Sequence, residues 1–284
     1  MKLILKISAF YLMISTATIS IADVGKVTNK LYSSVESFLD NSFENTDFSI
    51  RKIESVKPQI SVMTLKPVSG NENNSLFFQG SFFMHDSDRE TINLGLVKRF
   101  LNDDESTLLG FNAFYDYELD YDHQRFSLGT DIKSKILDLS YNQYFSNSGS
   151  KTGKNNKQEE AVDGHDLELG AHLPYIPSMK VYAKLFDFNV NGGNDFEGSE
   201  YSAEIKIPGS GLTFEVGHTD FDSHTDQTFF NFKYSSNSKN TNEKFITSEA
   251  FKKVSMKSRM YEKVRRDNII KKKGSSFTVK AGGF

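Results

Sequence analysis

Six histidines are the side chains most able to do chemistry in this 284-residue chain, which contains no cysteine. His218-Thr219-Asp220 and His224-Thr225-Asp226 each set an imidazole two positions from a carboxylate, and His85-Asp86 sets the two side by side. Such pairs are the minimum for metal ligation or for an acid–base relay at a rim. Neither is expected here. No second convergent acid–base set accompanies His85, and a loop imidazole beside an aspartate is ordinarily solvated. Asp163-Gly164-His165-Asp166 reads as the end of a mobile loop. Gly192-Gly193 and Gly282-Gly283 follow no strand-to-helix signature, so no phosphate loop is indicated. The lack of cysteine excludes thiolate nucleophiles, iron–sulfur clusters and disulfides. The expectation is a non-enzyme without metal or cofactor. The formal charge of −3 gives no case for nucleic acid as a partner.

The charges are nevertheless unevenly placed. Residues 251–273 carry ten Lys or Arg against Glu262 and Asp267. Lys271-Lys272-Lys273 within that stretch reads as a solvated basic run. Acidic residues gather in the region before it, and what positions them is a two-residue rhythm from Thr46 to Tyr234. Leu109, Phe111, Ala113, Tyr115, Tyr117 and Leu119 alternate with Gly110, Asn112, Phe114, Asp116 and Glu118; Ile92, Leu94 and Leu96 alternate with Asn93 and Gly95. Twelve strands are expected, at 46–53, 57–67, 75–85, 90–100, 107–119, 124–134, 137–146, 165–173, 179–189, 199–207, 212–219 and 226–234. Alternation is weakest in the first two, and Phe77 and Phe83 interrupt the polar face of the third. Most of these strands are long enough to cross a bilayer at a tilt.

Export precedes this region. Lys2 and Lys6 form a basic start before a short, largely apolar run at 7–14, and Ser20-Ile21-Ala22 offers small residues for cleavage after Ala22, so 1–22 reads as a signal peptide. Val24, Val27, Leu31, Val35 and Phe38 then recur at helical spacing, giving a short amphipathic helix within 23–45. No later segment approaches the roughly 20 apolar residues of a spanning helix.

A soluble β-sandwich and a membrane barrel both alternate; they differ in where the apolar face points. The polar faces here combine Asn, Ser, Gly, Asp and Glu, which suits a narrow wet lumen, and an even number of strands closes without an edge. Phe100, Tyr115, Tyr117, Tyr141, Tyr144 and Phe145 are candidates for interfacial girdles. The longest connection, 147–164, and the connection 190–198 follow odd-numbered strands. The Lys135-Ile136 and Pro208-Gly209-Ser210-Gly211 turns follow even-numbered ones, the asymmetry of an outer-membrane barrel. The pattern thus predicts an all-β, antiparallel twelve-stranded transmembrane β-barrel over 46–235. A small porin and a secreted soluble all-β binding module are the alternatives. The terminal Phe284 leaves a further option, in which 275–284 forms a strand that replaces 46–53.

Asn93-Leu94-Gly95-Leu96, Leu128-Gly129, Leu173-Pro174-Tyr175 and the run Asn112-Ala113-Phe114-Tyr115-Asp116-Tyr117 resemble the β-domain of intimin and invasin, the inverse autotransporters. Residues 259–269, from Arg259-Met260-Tyr261-Glu262 onward, resemble that family's linker after the barrel, so the similarity covers roughly 24–273. It implies an outer-membrane barrel that exports and then anchors a C-terminal passenger, with a periplasmic helix before it and a linker running up through the lumen. The helix corresponds to 23–45 and the linker to 236–273. The family's passenger is a string of immunoglobulin-like domains, whereas only 274–284 follow the linker here, a vestigial extension. On this reading Asp116, Glu118, Asp131, Asp138, Glu168, Glu204 and Glu215 line the lumen. Lys257, Arg259, Lys263, Arg265 and Arg266 of the linker meet them and plug the pore. The expected partners are outer-membrane lipids and lipopolysaccharide, the barrel assembly machinery, periplasmic chaperones, and a host or bacterial surface ligand at the 147–164 and 190–198 loops.

Overall fold

The computed structural model describes residues 45–54, 56–86, 89–236, 244–251 and 255–274; the expected signal peptide, residues 23–44 of the expected helical segment and residues 275–284 of the expected extension lie outside them. Twelve antiparallel strands form a closed barrel: β1 Thr46–Ile53, β2 Gln59–Asn71, β3 Asn74–His85, β4 Arg89–Leu101, β5 Thr107–Glu118, β6 Gln124–Ser134, β7 Leu137–Ser146, β8 Gly164–Leu173, β9 Ile176–Phe188, β10 Phe196–Lys206, β11 Leu212–Phe221 and β12 Gln227–Ser235. Each pairs with its neighbours in sequence. The ring closes between β1 and β12, with Phe48 opposite Tyr234 and Ile50 opposite Phe232. It therefore closes through 46–53, the strand of weak alternation, and leaves no edge for a further strand. β2 runs beyond its expected end because the register shifts between Pro67 and Ser69. A proline has no N–H to give the ladder, and an irregularity there lets pairing resume on its far side.

The alternation sorts cleanly. Leu94, Leu96, Phe111, Leu128, Leu169, Leu185, Val216 and Phe230 are exposed on the outer face, while Asn93, Asn112, Asp116, Asp131, Asp166 and Asn231 are buried on the inner one. An apolar exterior around a polar interior inverts a soluble sheet protein and needs hydrocarbon outside it. Connections after even-numbered strands, such as 72–73, 135–136 and 174–175, are tight and share one rim. The longest connection lies on the opposite rim.

Two expectations are corrected by the packing. Tyr144 is not an interfacial residue: it points inward, fully buried, because it sits one position out of phase with the outward-facing Tyr141 and Phe145. The 147–164 connection is not an open loop. It contains the short strands Lys151–Thr152 and Gln158–Ala161, and Glu159, Ala161 and Val162 are buried. Gly164, His165 and Asp166 belong to β8, where Asp166 accepts from Tyr144 Oη at 2.5 Å and Asn142 Nδ2 at 2.7 Å.

The aromatic interruptions of the inner face have their own logic. Gly95 on β4 lies directly opposite Phe114 on β5, and a Cβ at Gly95 would come within 2.2 Å of the Phe114 ring. The absent side chain is what lets the ring lie flat across the strand. Gly95→Val is accordingly expected to cost about 1–3 kcal/mol through overpacking. Thermal unfolding in detergent measures it, and a Tm equal to that of the wild type would mean that the ring is not confined there.

Candidate functional site

Residues 256–274 carry no long regular element, yet most of them are buried. A buried irregular backbone must find a partner for each N–H and C=O outside itself. Here the inner-face side chains provide them. Arg99 Nη1 donates to Met260 O at 2.9 Å and Glu262 O at 2.5 Å. Gln79 Oε1 accepts from Val264 N–H at 2.9 Å, and Asn142 Nδ2 donates to Arg265 O at 3.0 Å. Tyr144 Oη accepts from Asp267 N–H at 2.6 Å, Arg125 Nη2 donates to Asp267 O at 2.6 Å, and Asn93 Nδ2 donates to Asn268 O at 3.0 Å.

Apolar contacts follow the same course. Met256 and Met260 pack with Leu101 and Leu108 beside the turn at 102–106. Val264 packs with Leu65, Phe77, Val97 and Phe114, and Ile269 with Met63 and Phe83 nearer the opposite rim. Phe77 and Phe83, the residues that break the polar pattern of β3, are thus the seats for Val264 and Ile269. Tyr144, Phe186, Phe188, Phe196 and Phe221 fill another part of the interior together with Val162 and Val190 from the connections.

The charged residues form three groups. In the first, Arg266 makes paired bonds of 2.9 and 2.7 Å to Asp116, which also accepts from Arg125 Nε at 2.8 Å; all three side chains are fully buried. The Arg266 guanidinium lies 4.4 Å from the centre of the Phe114 ring. In the second, Arg265 pairs with Glu168, reaches Glu215 at 3.3 Å and Glu204 at 3.9 Å, and stacks 3.7 Å from the Tyr182 ring. Lys233 serves the same two glutamates, Glu204 at 2.8 Å and Glu215 at 3.1 Å. In the third, Arg259 binds Asp138 at 2.6 Å and Glu262 at 2.7 Å. Lys263 pairs with Asp47, and Lys257 lies 2.6 Å from Glu105 at the turn rather than from an inner-face acid. Asp131 is bound by Arg99 of the barrel at 3.0 Å. The two hydrogen bonds between Arg266 and Asp116 are the geometry that favours arginine over lysine.

The basic run at 271–273 is not solvated: Lys271 and Lys272 are buried, with Lys271 3.0 Å from Asp267 and Lys272 on Glu118. Nor is the barrel wall purely acidic. Arg51, Arg89, Arg99, Arg125, Lys133, Lys180 and Lys184 are buried on it as well. Sequence reasoning passed over them by attending to the acids alone. Their signal was available: each holds a polar-face position in its strand.

Glu118, His123 and Glu159 bring three ligand-type atoms within 4.8 Å of one another. Cations of the protein already serve them: Arg89 binds Glu118 at 2.8 Å and Glu159 at 2.7 Å, and Lys272 pairs with Glu118. His123, in the connection before β6, has its pKa pushed down to about 4, by burial first and by Lys272 second. The folded protein therefore keeps this imidazole neutral where an unfolded one charges. That contribution to stability is full above pH 6.5 and is lost as the pH falls from 6.5 towards 4. The difference in Tm between wild type and His123→Gln should change across that window and stay flat above it; a constant difference from pH 7 to pH 4 would contradict it.

Residues 16–268 match the family described as "Inverse autotransporter, beta-domain". Among curated proteins, the chain is 31% identical over 121 residues to an attaching and effacing protein homolog of Escherichia coli K12, covering 42% of this chain and 40% of that protein. It is 30% identical over 107 residues to the intimin of Escherichia coli O157:H7, covering 36% of this chain and 11% of the intimin. The matched region is thus well under half the length of these relatives. The solved structure described as "Unveiling the Mechanism Behind the in-meso Crystallization of Membrane Proteins" superposes with a TM-score of 0.64 at 20% identity, covering 80% of this chain and 98% of that one, a likeness of fold.

Proposed function

The chain belongs to the inverse autotransporter β-domain family and is a non-enzymatic outer-membrane β-barrel, and from that premise we propose that it is a translocator and anchor whose own C-terminal segment occupies the lumen as a plug. In this reading 46–235 is the barrel and 236–273 the linker, preceded by a periplasmic helix at 23–45 and followed by 274–284. The observation that carries it is the backbone accommodation of 260–269 by inner-face side chains from β3, β4, β6 and β7. Groups that point into an open pore have no reason to satisfy a second stretch of backbone. The matching charges on the two sides support the same reading: Asp116 with Arg266, Asp138 with Arg259 and Glu168 with Arg265.

Lumen-lining roles for Asp131, Glu204 and Glu215 and seating roles for Lys257 and Lys263 belong to this proposal. So do the partners: lipid and lipopolysaccharide against the apolar outer face, and periplasmic chaperones and the barrel assembly machinery during insertion. Any surface ligand would meet the connections 147–163 and 189–195 on one rim.

The absence of native cysteine gives a clean test. In the double variant Phe77→Cys, Val264→Cys, a short bis-maleimide added to the protein in outer membranes is expected to join the two positions, read by mass spectrometry of the tryptic peptides. Efficient labelling of both cysteines without a cross-link would defeat the plugged reading.

A further inference from the structure

Gln158–Ala161 pairs on one side with Lys151–Thr152 and on the other, antiparallel, with Lys272–Lys273. Val162 N–H extends this ladder by donating to Lys271 O at 3.1 Å. Beneath the ladder lies a buried chain of charges. Lys272 reaches Glu118, Arg89 bridges Glu118 at 2.8 Å and Glu159 at 2.7 and 2.9 Å, and Glu159 belongs to the short strand itself. Lys273 pairs with Glu160 at 3.1 Å. Gly274 follows with φ +80°, and a Cβ there would lie 2.1 Å from Gln158 O, so no side chain fits at that position.

We propose that the hairpin at 151–161 is a strand-acceptor site at the barrel rim, which captures an extended segment by β-addition and selects a basic residue at 272 and glycine at 274. The proposal rests on the reading that 255–274 occupies the lumen and adds what holds the segment where it leaves. Main-chain pairing gives the grip, which any extended peptide can offer. Selectivity comes from Glu118 and Glu159: both are buried, and the single guanidinium of Arg89 cannot neutralise two carboxylates. A basic side chain at 272 completes the balance; a neutral one leaves a net buried negative charge. Because the acceptor strand belongs to a connection and not to the barrel wall, it can release its strand while the twelve-stranded ring stays closed.

Hydrogen exchange of the full-length protein in detergent, read by mass spectrometry, tests this. Lys272→Met and Gly274→Val are each expected to speed exchange in the peptide covering 158–163 by about tenfold, the effect of weakening one local opening unit. Exchange at 263–270 should stay at the wild-type rate, and Lys272→Arg should keep 158–163 protected. Wild-type protection of 158–163 in both disruptive variants would overturn the acceptor site. An equal loss at 263–270 would also overturn it, since the rim pairing would then be only an extension of the deeper packing. The reading beneath it fails differently: fast exchange at 263–270 in the wild type with slow exchange at 158–163 removes the lumenal plug and leaves the acceptor site standing.

Discussion

Replacing Arg265 with methionine is expected to destabilise the folded protein by about 3–5 kcal/mol, the range for breaking a buried ion pair from one side. Arg265 lies among Glu168, Glu204 and Glu215. Lys233 continues to serve two of these, at 2.8 and 3.1 Å, when the guanidinium is gone. Glu168 is left with the larger deficit, and the stack on Tyr182 is lost as well. The double variant Arg265→Met, Glu168→Gln should recover a large part of the loss, because the orphaned charge leaves with its partner. Heat-modifiable migration and thermal unfolding in detergent read both. If the single variant unfolds within about 0.5 kcal/mol of the wild type, the ordinary scatter of a surface change, the cluster is wet and the buried-pair argument falls.

Asp116→Ala should be of similar size, about 3–5 kcal/mol, with the opposite sign of uncompensated charge. It strands Arg266 and Arg125, both fully buried, and takes from Asn93 the acceptor it holds at 2.7 Å. Asp116→Asn keeps an acceptor without the charge and should fall between the two. The signs separate the two cases experimentally. A buried carboxylate that has lost its cation takes up a proton before a paired one does, so mild acidification, from pH 7 to about 5, should narrow the deficit of Arg265→Met and leave that of Asp116→Ala unrelieved until the wild-type Asp116 is itself neutralised at lower pH. The same response to pH in both variants would mean that general loosening, not charge, sets the losses.

The two clusters differ in how well they can be read from sequence. Asp116 lies inside an alternating run whose phase is unmistakable, between outward Tyr115 and half-buried Tyr117, so its direction follows from its neighbours. Tyr144 shows where that inference weakens. Aromatic residues suit both an interfacial girdle and a packed interior, and only its phase against Tyr141 and Phe145 distinguishes them. The twelve strands themselves were legible because a one-residue slip would turn an entire face from lipid to interior. Their ends were less so: β2 continues through the Pro67 irregularity, and β9 starts at Ile176, next to the Pro174-Tyr175 turn. The Gln158–Ala161 strand had no comparable signal. Its four residues, Gln-Glu-Glu-Ala, show no apolar alternation, and it is ordered by partners that are distant in sequence, Lys272 and Arg89. Gln79, Asn93 and Asn142 were missed for another reason: they bind main-chain atoms, and a sequence does not show which polar side chains will meet a backbone.

The closed ring has a mechanical corollary. A ring without an edge cannot open sideways around whatever it encloses, so a chain held inside is confined as a thread through a bead and leaves only lengthwise. Tension applied at 274 would then run along the pairing of 271–273 with 160–162, loading several hydrogen bonds and ion pairs together in shear instead of peeling them one by one. A segment held in this way would yield only when many contacts fail at once.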